Sequence, residues 1–236
     1  MNGKNNVNGG YIVEQENTKS TMTLTTDGII FDVDGTLWDS TPVVEKAWNA
    51  ALSDMGHPEL SVTADRLKGL FGLPMLDIIL DIIPDSTLKE REEFLPVCSR
   101  YEFRYLEKEA GIVYPGLRET LAGLREEGIP LFIVSNCQSG YIELLYRKTG
   151  LGEFFKDHVC PGDTGKFKAD NIRIMAERYG LKQPVYVGDT QMDADACKEA
   201  DVPIVYAAYG FGRVREPDLV IETPMDLIVK VKRYAK

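Results

Sequence analysis

Two rhythms of apolar residues alternate along the chain. One consists of short unbroken runs: GIIF before Asp32, IPLFIV before Ser135, PVYV before Gly188 and VPIVYAA from Val202. Runs of this length, bounded by Gly, Asp or Ser, predict parallel strands buried on both faces. DHVC predicts another short strand and EPDLVIET an edge strand. The second rhythm is helical. Val43, Val44, Ala47, Trp48, Ala51 and Leu52 form one stripe, with Ser40 or Thr41 as a cap, Pro42 at the first position and Gly56 as the stop. Leu117, Leu121 and Leu124 predict a helix ending at Gly128, and SGYIELLYRKTG a helix capped by Ser139 and stopped by Gly150. DNIRIMAERYG and MDADACKEA predict two more, and PMDLIVKVKRYAK a closing helix.

Strand and helix alternating in this way define an α/β fold, a doubly wound parallel sheet with right-handed crossovers. One stretch breaks the alternation. From Pro42 to Ala110 the signals are helical only, with a Gly-Pro turn in LKGLFGLPMLDIILDIIP and a charged amphipathic stretch, LKEREEFLPVCSRYEFRYLEKEA, interrupted at Pro96. Residues 42–110 are therefore expected to be a small helical domain, inserted after the first strand of a core made from 25–41 and 111–236. Residues 1–24, rich in Asn, Gly, Thr and Lys, are expected to be a flexible polar leader with a short strand around Tyr11–Val13.

Composition narrows the possible partners. The 236 residues are 44% hydrophobic and 27% charged, as in ordinary globular proteins. No apolar run approaches the roughly 18 residues of a membrane span, and the N-terminus has no secretory apolar stretch, so a cytoplasmic protein is expected. The net charge of −10, with Lys and Arg scattered, argues against nucleic acid as a partner. It leaves room for a small phosphorylated metabolite, because charge within a site can oppose the net charge. Cys98, Cys137, Cys160 and Cys197 form no CxxC pair and suit free thiols. His57 and His158, the only histidines, suit structural or surface positions rather than a zinc site.

The polar residues that end the strands carry the chemistry. In a doubly wound sheet, ligands bind at the carboxyl ends of the strands near the switch point. There the chain places Asp32-Val33-Asp34-Gly35-Thr36, Ser135-Asn136 and Gly188-Asp189, continuing to Asp193. Like charges gathered in a buried place are costly, so a cation is implied among Asp32, Asp34 and Asp189, and an oxygen-only donor set suits Mg2+. A metal there can hold a phosphoryl oxygen. Asp32 could then attack phosphorus, and Asp34 could give a proton to the leaving oxygen and later take one from water. Ser135, with backbone N–H groups near Gly35 and Asn136, could bind phosphate oxygens, Gly35-Thr36 making the turn. Lys166 or Lys168, just before a helix, could supply the cation.

Together these motifs resemble those of the haloacid dehalogenase superfamily. DVDGT resembles its first motif, Ser135 its second, a lysine its third and GDTQMD its fourth, over about residues 27–225. The helical insertion, LFGLP at Leu70–Pro74 and YPGLRETLAGLREEGIPLFIVSN resemble the phosphoglycolate phosphatase-like branch, whose insertion is an α-helical cap. The resemblance implies an aspartyl-phosphate on Asp32, acid–base catalysis by Asp34 with its backbone carbonyl on the metal, and Asp189 as a metal ligand. It makes Asp193 a ligand through water or a partner to the lysine, and Ser135 a phosphate ligand. Lys168 is favoured as the lysine because KADN stands where the branch has K-P-x-P-D.

The implied activity is a Mg2+-dependent phosphatase acting on a small phosphomonoester. A phosphosugar mutase and a non-catalytic binding protein of the same fold are the alternatives. Asp34 argues against dehalogenation, and nothing visible activates Lys46 or Lys68 for phosphonatase chemistry. Trp38 either shapes the substrate pocket or packs between cap and core. Arg66, Lys68 and Arg104 are candidate anion anchors in the cap.

Overall fold

A computed structural model describes residues 23–234. The expected leader, including the strand around Tyr11–Val13, lies almost wholly outside the described residues. The chain opens with β1 (Leu24–Thr26) and β2 (Gly28–Phe31), then β3 (Trp38–Asp39). Four helices follow: α1 (Thr41–Asp54), α2 (Ala64–Leu70), α3 (Met75–Ile82) and α4 (Leu88–Leu106). β4 (Ile112–Val113) leads to α5 (Leu117–Glu126), β5 (Leu131–Val134), α6 (Tyr141–Thr149) and, after a 3-10 turn, β6 (Phe155–Val159). The remainder is α7 (Pro161–Thr164), α8 (Lys168–Tyr179), β7 (Pro184–Gly188), α9 (Gln191–Ala200), β8 (Ile204–Ala207), β9 (Leu219–Ile221), α10 (Asp226–Lys230) and β10 (Val231–Arg233).

The main sheet is six-stranded and parallel, in the order β6-β5-β2-β7-β8-β9. The chain winds outward from β2 through β5 to β6, returns to the other side of β2 at β7, and winds outward again. The order therefore reverses between β2 and β7, which makes that boundary the switch point. Every residue of β2, β5 and β7 is buried, because the strand period of two sends neighbours to opposite faces and both faces are covered. Ile29, Phe31, Ile133 and Val187 join the core under α5 and α6. Ile30, Phe132, Val134 and Tyr186 join the core under α8 and α9.

The four consecutive helices α1–α4 lie between β3 and β4, which pair antiparallel with Trp38 opposite Val113 and Asp39 opposite Ile112. The chain segments leading into and out of the helices are thus zipped together at the edge of the site. Trp38 is fully buried here, edge-on to Tyr141 at 5.8 Å. No described helix is long and apolar enough to cross a membrane.

Four local expectations are corrected. The closing helix is only α10, and the chain then extends as β10, which pairs in parallel with β1 through Leu24–Val231 and Thr26–Arg233. Val231 and Thr26 are buried in that pair, so tertiary pairing overrides helical propensity. Neither Ser40 nor Thr41 caps α1 with its side chain. Asp39 Oδ1 accepts from the Thr41 N–H at 2.9 Å, and the Ser40 hydroxyl is engaged elsewhere. Ser139 does not cap α6 either, since Gly140 holds the cap position at φ +87° and the Ser139 hydroxyl donates to Asp163 at 2.8 Å.

The fourth correction is Pro96, which interrupts nothing, because α4 runs through it as one helix. The Thr87–Glu90 capping box starts that helix, and Phe94, Cys98, Glu102 and Leu106, spaced four apart, are its buried residues. Pro96 is exposed, so the carbonyl it leaves without a partner faces water. Replacing a helix-interior proline restores a backbone bond but loosens the unfolded chain. Pro96→Ala is expected to raise stability by about 1–3 kcal/mol, measured by urea unfolding.

Candidate active site

β2 delivers Asp32 to the switch point, where its N–H donates to Val187 O of β7 at 2.9 Å and extends the ladder by one bond. The chain then turns sharply. Leu37 N donates to Val33 O at 2.8 Å, Gly35 N to Trp38 O at 2.9 Å, and Gly35 sits at φ +80°. The turn brings Gly35 against Asp189, the residue after β7. A Cβ on Gly35 would lie 2.1 Å from Asp189 Oδ2, and one on Gly210 2.3 Å from Asp189 Cβ. Two glycines thus make room for one carboxylate. Phe211 N donates to Asp189 Oδ2 at 2.7 Å, and the Thr36 hydroxyl reaches Oδ1 at 3.4 Å.

Lys168 is the first residue of α8 and is almost fully buried, with its Nζ 3.0 Å from Asp32 Oδ1 and 2.6 Å from Asp193 Oδ1. Lys166 is exposed, so of the two candidates only Lys168 stands among the carboxylates. The other oxygen of Asp193 accepts from the Thr190 N–H at 3.0 Å and the Thr190 hydroxyl at 2.7 Å, closing a capping box at the start of α9. Both Asp193 oxygens are therefore occupied. Ser135 follows β5 and borders the same pocket as Asp32, where it favours the charged form of that carboxyl.

The acceptors of Asp32, Asp189 and Asp193 lie within 4.8 Å of one another. Three carboxylates face one lysine, an excess of two negative charges. Burial, followed by the charges of Asp193 and Asp32, pushes Asp189 well above the usual carboxylate range. Lys168 moves upward despite its burial, because Asp193 and Asp32 hold its proton. A hard divalent cation fits this oxygen-only set by charge and donor type.

Asp34 sits apart from that cluster. Its Oδ1 accepts from Ser40 Oγ at 2.6 Å and from the Tyr141 hydroxyl at 3.0 Å. Burial pushes its carboxyl up to about 7, the Ser40 bond working against the shift, so a proton can be held there near neutral pH. Ser40 and Tyr141 escaped the sequence reading because each had an ordinary explanation, one as a cap and the other as part of a helical stripe.

A small pocket opens over Asp32, Asp34 and Ser135, roofed by Phe71, Leu73 and Met75 of the helical insertion. Larger surface clefts, around Gly180 and around Asp201, do not reach these carboxylates. Asn136 borders the pocket, and its side-chain Nδ2 donates to Gly72 O of the insertion at 2.8 Å. Thr36 is fully buried with its hydroxyl directed at Asp189, so it supports a carboxylate rather than facing the pocket. None of the three candidate anion anchors lines it. Arg66 pairs with Asp81 at 2.7 Å, Lys68 lies 3.4 Å from Asp39, and Arg104 is exposed. Lys46 is exposed and paired with Glu109.

With this geometry in view, the chain belongs to the haloacid dehalogenase-like hydrolase family, whose profile matches residues 29–207. Curated relatives that it resembles are named phosphoglycolate phosphatase. It is 30% identical over 215 residues to a phosphoglycolate phosphatase of Pseudomonas syringae pv. tomato, covering 87% of this chain and 77% of the relative. It is 28% identical to that of Photobacterium profundum, covering 86% and 95%. A haloacid dehalogenase-like hydrolase from Bacteroides fragilis has the same fold with a TM-score of 0.77 at 20% identity, covering 85% and 99%. A HAD-superfamily hydrolase of subfamily IA from Geobacter sulfurreducens matches at 0.65 and 19%, covering 87% and 95%.

The tightness around Asp189 is directly testable. Gly35→Ala forces a Cβ into the carboxylate and places an L side chain at positive φ. Phosphate release is expected to fall at least about 100-fold, with a melting curve showing that the variant remains folded.

Proposed function

We propose that the protein is a Mg2+-dependent phosphatase that hydrolyses a small organic phosphomonoester through an aspartyl-phosphate on Asp32. The observation that carries this is the division of labour between two aspartates one residue apart. Asp32 faces Lys168 and the carboxylate cluster, whereas Asp34 is turned away to Ser40 and Tyr141 with its carboxyl near 7. The donor set would place Mg2+ on the carboxylates of Asp32 and Asp189 and the backbone carbonyl of Asp34, where it supplies positive charge against the phosphoryl oxygens.

The residues then act in two steps. An Asp32 oxygen bonds to phosphorus as the bond from phosphorus to the leaving oxygen breaks, and Asp34 gives its proton to that oxygen. Asp34 next takes a proton from water, whose oxygen attacks phosphorus. The bond to Asp32 breaks, and inorganic phosphate and free Asp32 result. Ser135 and the backbone N–H groups near Gly35 and Asn136 hold the equatorial oxygens, and Lys168 stabilises their charge. Asp193 keeps Lys168 in place. Residues 42–110 act as a cap that closes over the pocket and excludes water.

Asp32→Asn is expected to abolish phosphate release from p-nitrophenyl phosphate, and EDTA to do the same until Mg2+ is restored. Persistence of full activity in either case overturns the mechanism. Asp34→Asn separates the two roles. With an alkyl phosphate, whose leaving oxygen needs a proton, kcat should drop about 10²–10⁴-fold. With the aryl phosphate the drop should be clearly smaller.

A further inference from the structure

The pocket contains a charge that the chemistry above does not use. Glu102, on α4, is 3% exposed and lines the same pocket as Asp32 and Asp34. One of its oxygens accepts from the Trp48 indole N–H and the other from Gln138 Nε2. Neither donor is charged, and no Lys or Arg pairs with Glu102 among the described residues. Burial pushes its carboxyl up to about 7, against those two hydrogen bonds.

A buried carboxyl without a cation costs stability that an apolar side chain of similar size would not. Packing alone gives no reason to keep it. A carboxylate has about four acceptor sites, and the two protein donors leave the others for a ligand. Nearby, Asn136 Oδ1 is buried without a donor, its amide orientation being set by the bond from Nδ2 to Gly72 O. The pocket that Glu102 and Asn136 line thus has spare acceptor capacity. It contains no basic side chain, since Lys168 lies beneath Asp32 and the candidate anchors Arg66, Lys68 and Arg104 are absent from its lining.

We propose that Glu102, positioned by Trp48 and Gln138, selects a phosphomonoester whose leaving group is uncharged and bears hydroxyls, and disfavours one that ends in a carboxylate. This rests on the phosphatase reading and separates the chain from what its relatives are named for, because phosphoglycolate would bring a second anion next to Glu102 with no cation to receive it. Like charges juxtaposed in a desolvated site are costly, whereas a hydroxyl donating to the carboxyl gains a charge-assisted bond.

Two substrates with the same two-carbon frame test this: 2-hydroxyethyl phosphate and 2-phosphoglycolate, assayed with Mg2+ at pH 8. For the wild type, kcat/KM should favour the hydroxyl compound by at least about tenfold. Glu102→Gln keeps the size and the acceptor for Trp48 and adds an N–H donor, so the preference should shrink at least about fivefold, mainly through faster use of phosphoglycolate. A wild-type preference for phosphoglycolate overturns the proposal, as does an unchanged ratio in a variant that melts like the wild type. If the variant does not fold, the wild-type ratio decides alone. Wild-type turnover of p-nitrophenyl phosphate reads the phosphatase chemistry separately. No release from any of the three compounds means that the underlying reading has failed, whereas release with the wrong preference means that only the selection by Glu102 has.

Discussion

The rest of the site depends on one constraint: Asp32, Asp189 and Asp193 are held together out of water against a single lysine. Nothing in the packing of an α/β sheet asks for this, and each carboxylate raises the cost of ionising the others. The surroundings are arranged to hold the repelling groups in place. Gly35 and Gly210 leave the space that Asp189 occupies. Thr190 and the first turn of α9 fix Asp193, which fixes Lys168. Asp32 is pinned through its backbone to β7. The cost is electrostatic, and on the proposed function a divalent cation and a phosphoryl group sharing the site would relieve it.

Topology decides where such a cluster can form. Only at the boundary of β2 and β7 do two strand ends meet whose following loops leave the sheet in opposite directions. The first loop carries Asp34 to Ser40 and Tyr141, the second carries Asp193 into a helix. Asp34 is thereby separated from the charge cluster although Asp32, two residues earlier, belongs to it. That separation allows Asp34 to keep a proton near neutrality, while Lys168 holds Asp32.

Most of the fold was legible because it follows from periodicity: unbroken apolar runs became β2, β5, β7 and β8, and the stretch without strand signals became α1–α4. The failures have a common cause. PMDLIVKVKRYAK has helical spacing, but the exposed edge of β1 was free to pair, and pairing prevailed in β10. Ser40 and Ser139 have the right chemistry to cap helices, yet Asp34 and Asp163 compete for their hydroxyls. Pro96 looked like a break because an exposed, tolerated proline and a helix-ending one look alike in a sequence. Glu102 was invisible for the same reason. In LKEREEFLPVCSRYEFRYLEKEA it is one acid among many, and only tertiary structure shows that this one is buried. Local pattern reports what a residue can do; a competing partner elsewhere in the chain decides what it does.

The contacts across the pocket also bear on how it opens. If residues 42–110 move as a cap, closure is held near the chemistry by the bond from Asn136 to Gly72 and the bond from Gln138 to Glu102. Each such bond contributes about 0.5–3 kcal/mol net, more when one partner is charged, and the Arg147–Glu107 pair and the Phe71–Phe211 contact add to what opening must break. The bond from Ser40 to Asp34 behaves differently, because it lies on the β3 side of the hinge and can persist in both states. Asp34 can thus keep its protonation environment while the pocket exchanges substrate for product. If Glu102 receives a substrate hydroxyl as proposed, Gln138 positions it only in the closed arrangement. Closure and recognition of the leaving group then become one event: a leaving group that cannot satisfy Glu102 also fails to hold the cap shut over Asp32.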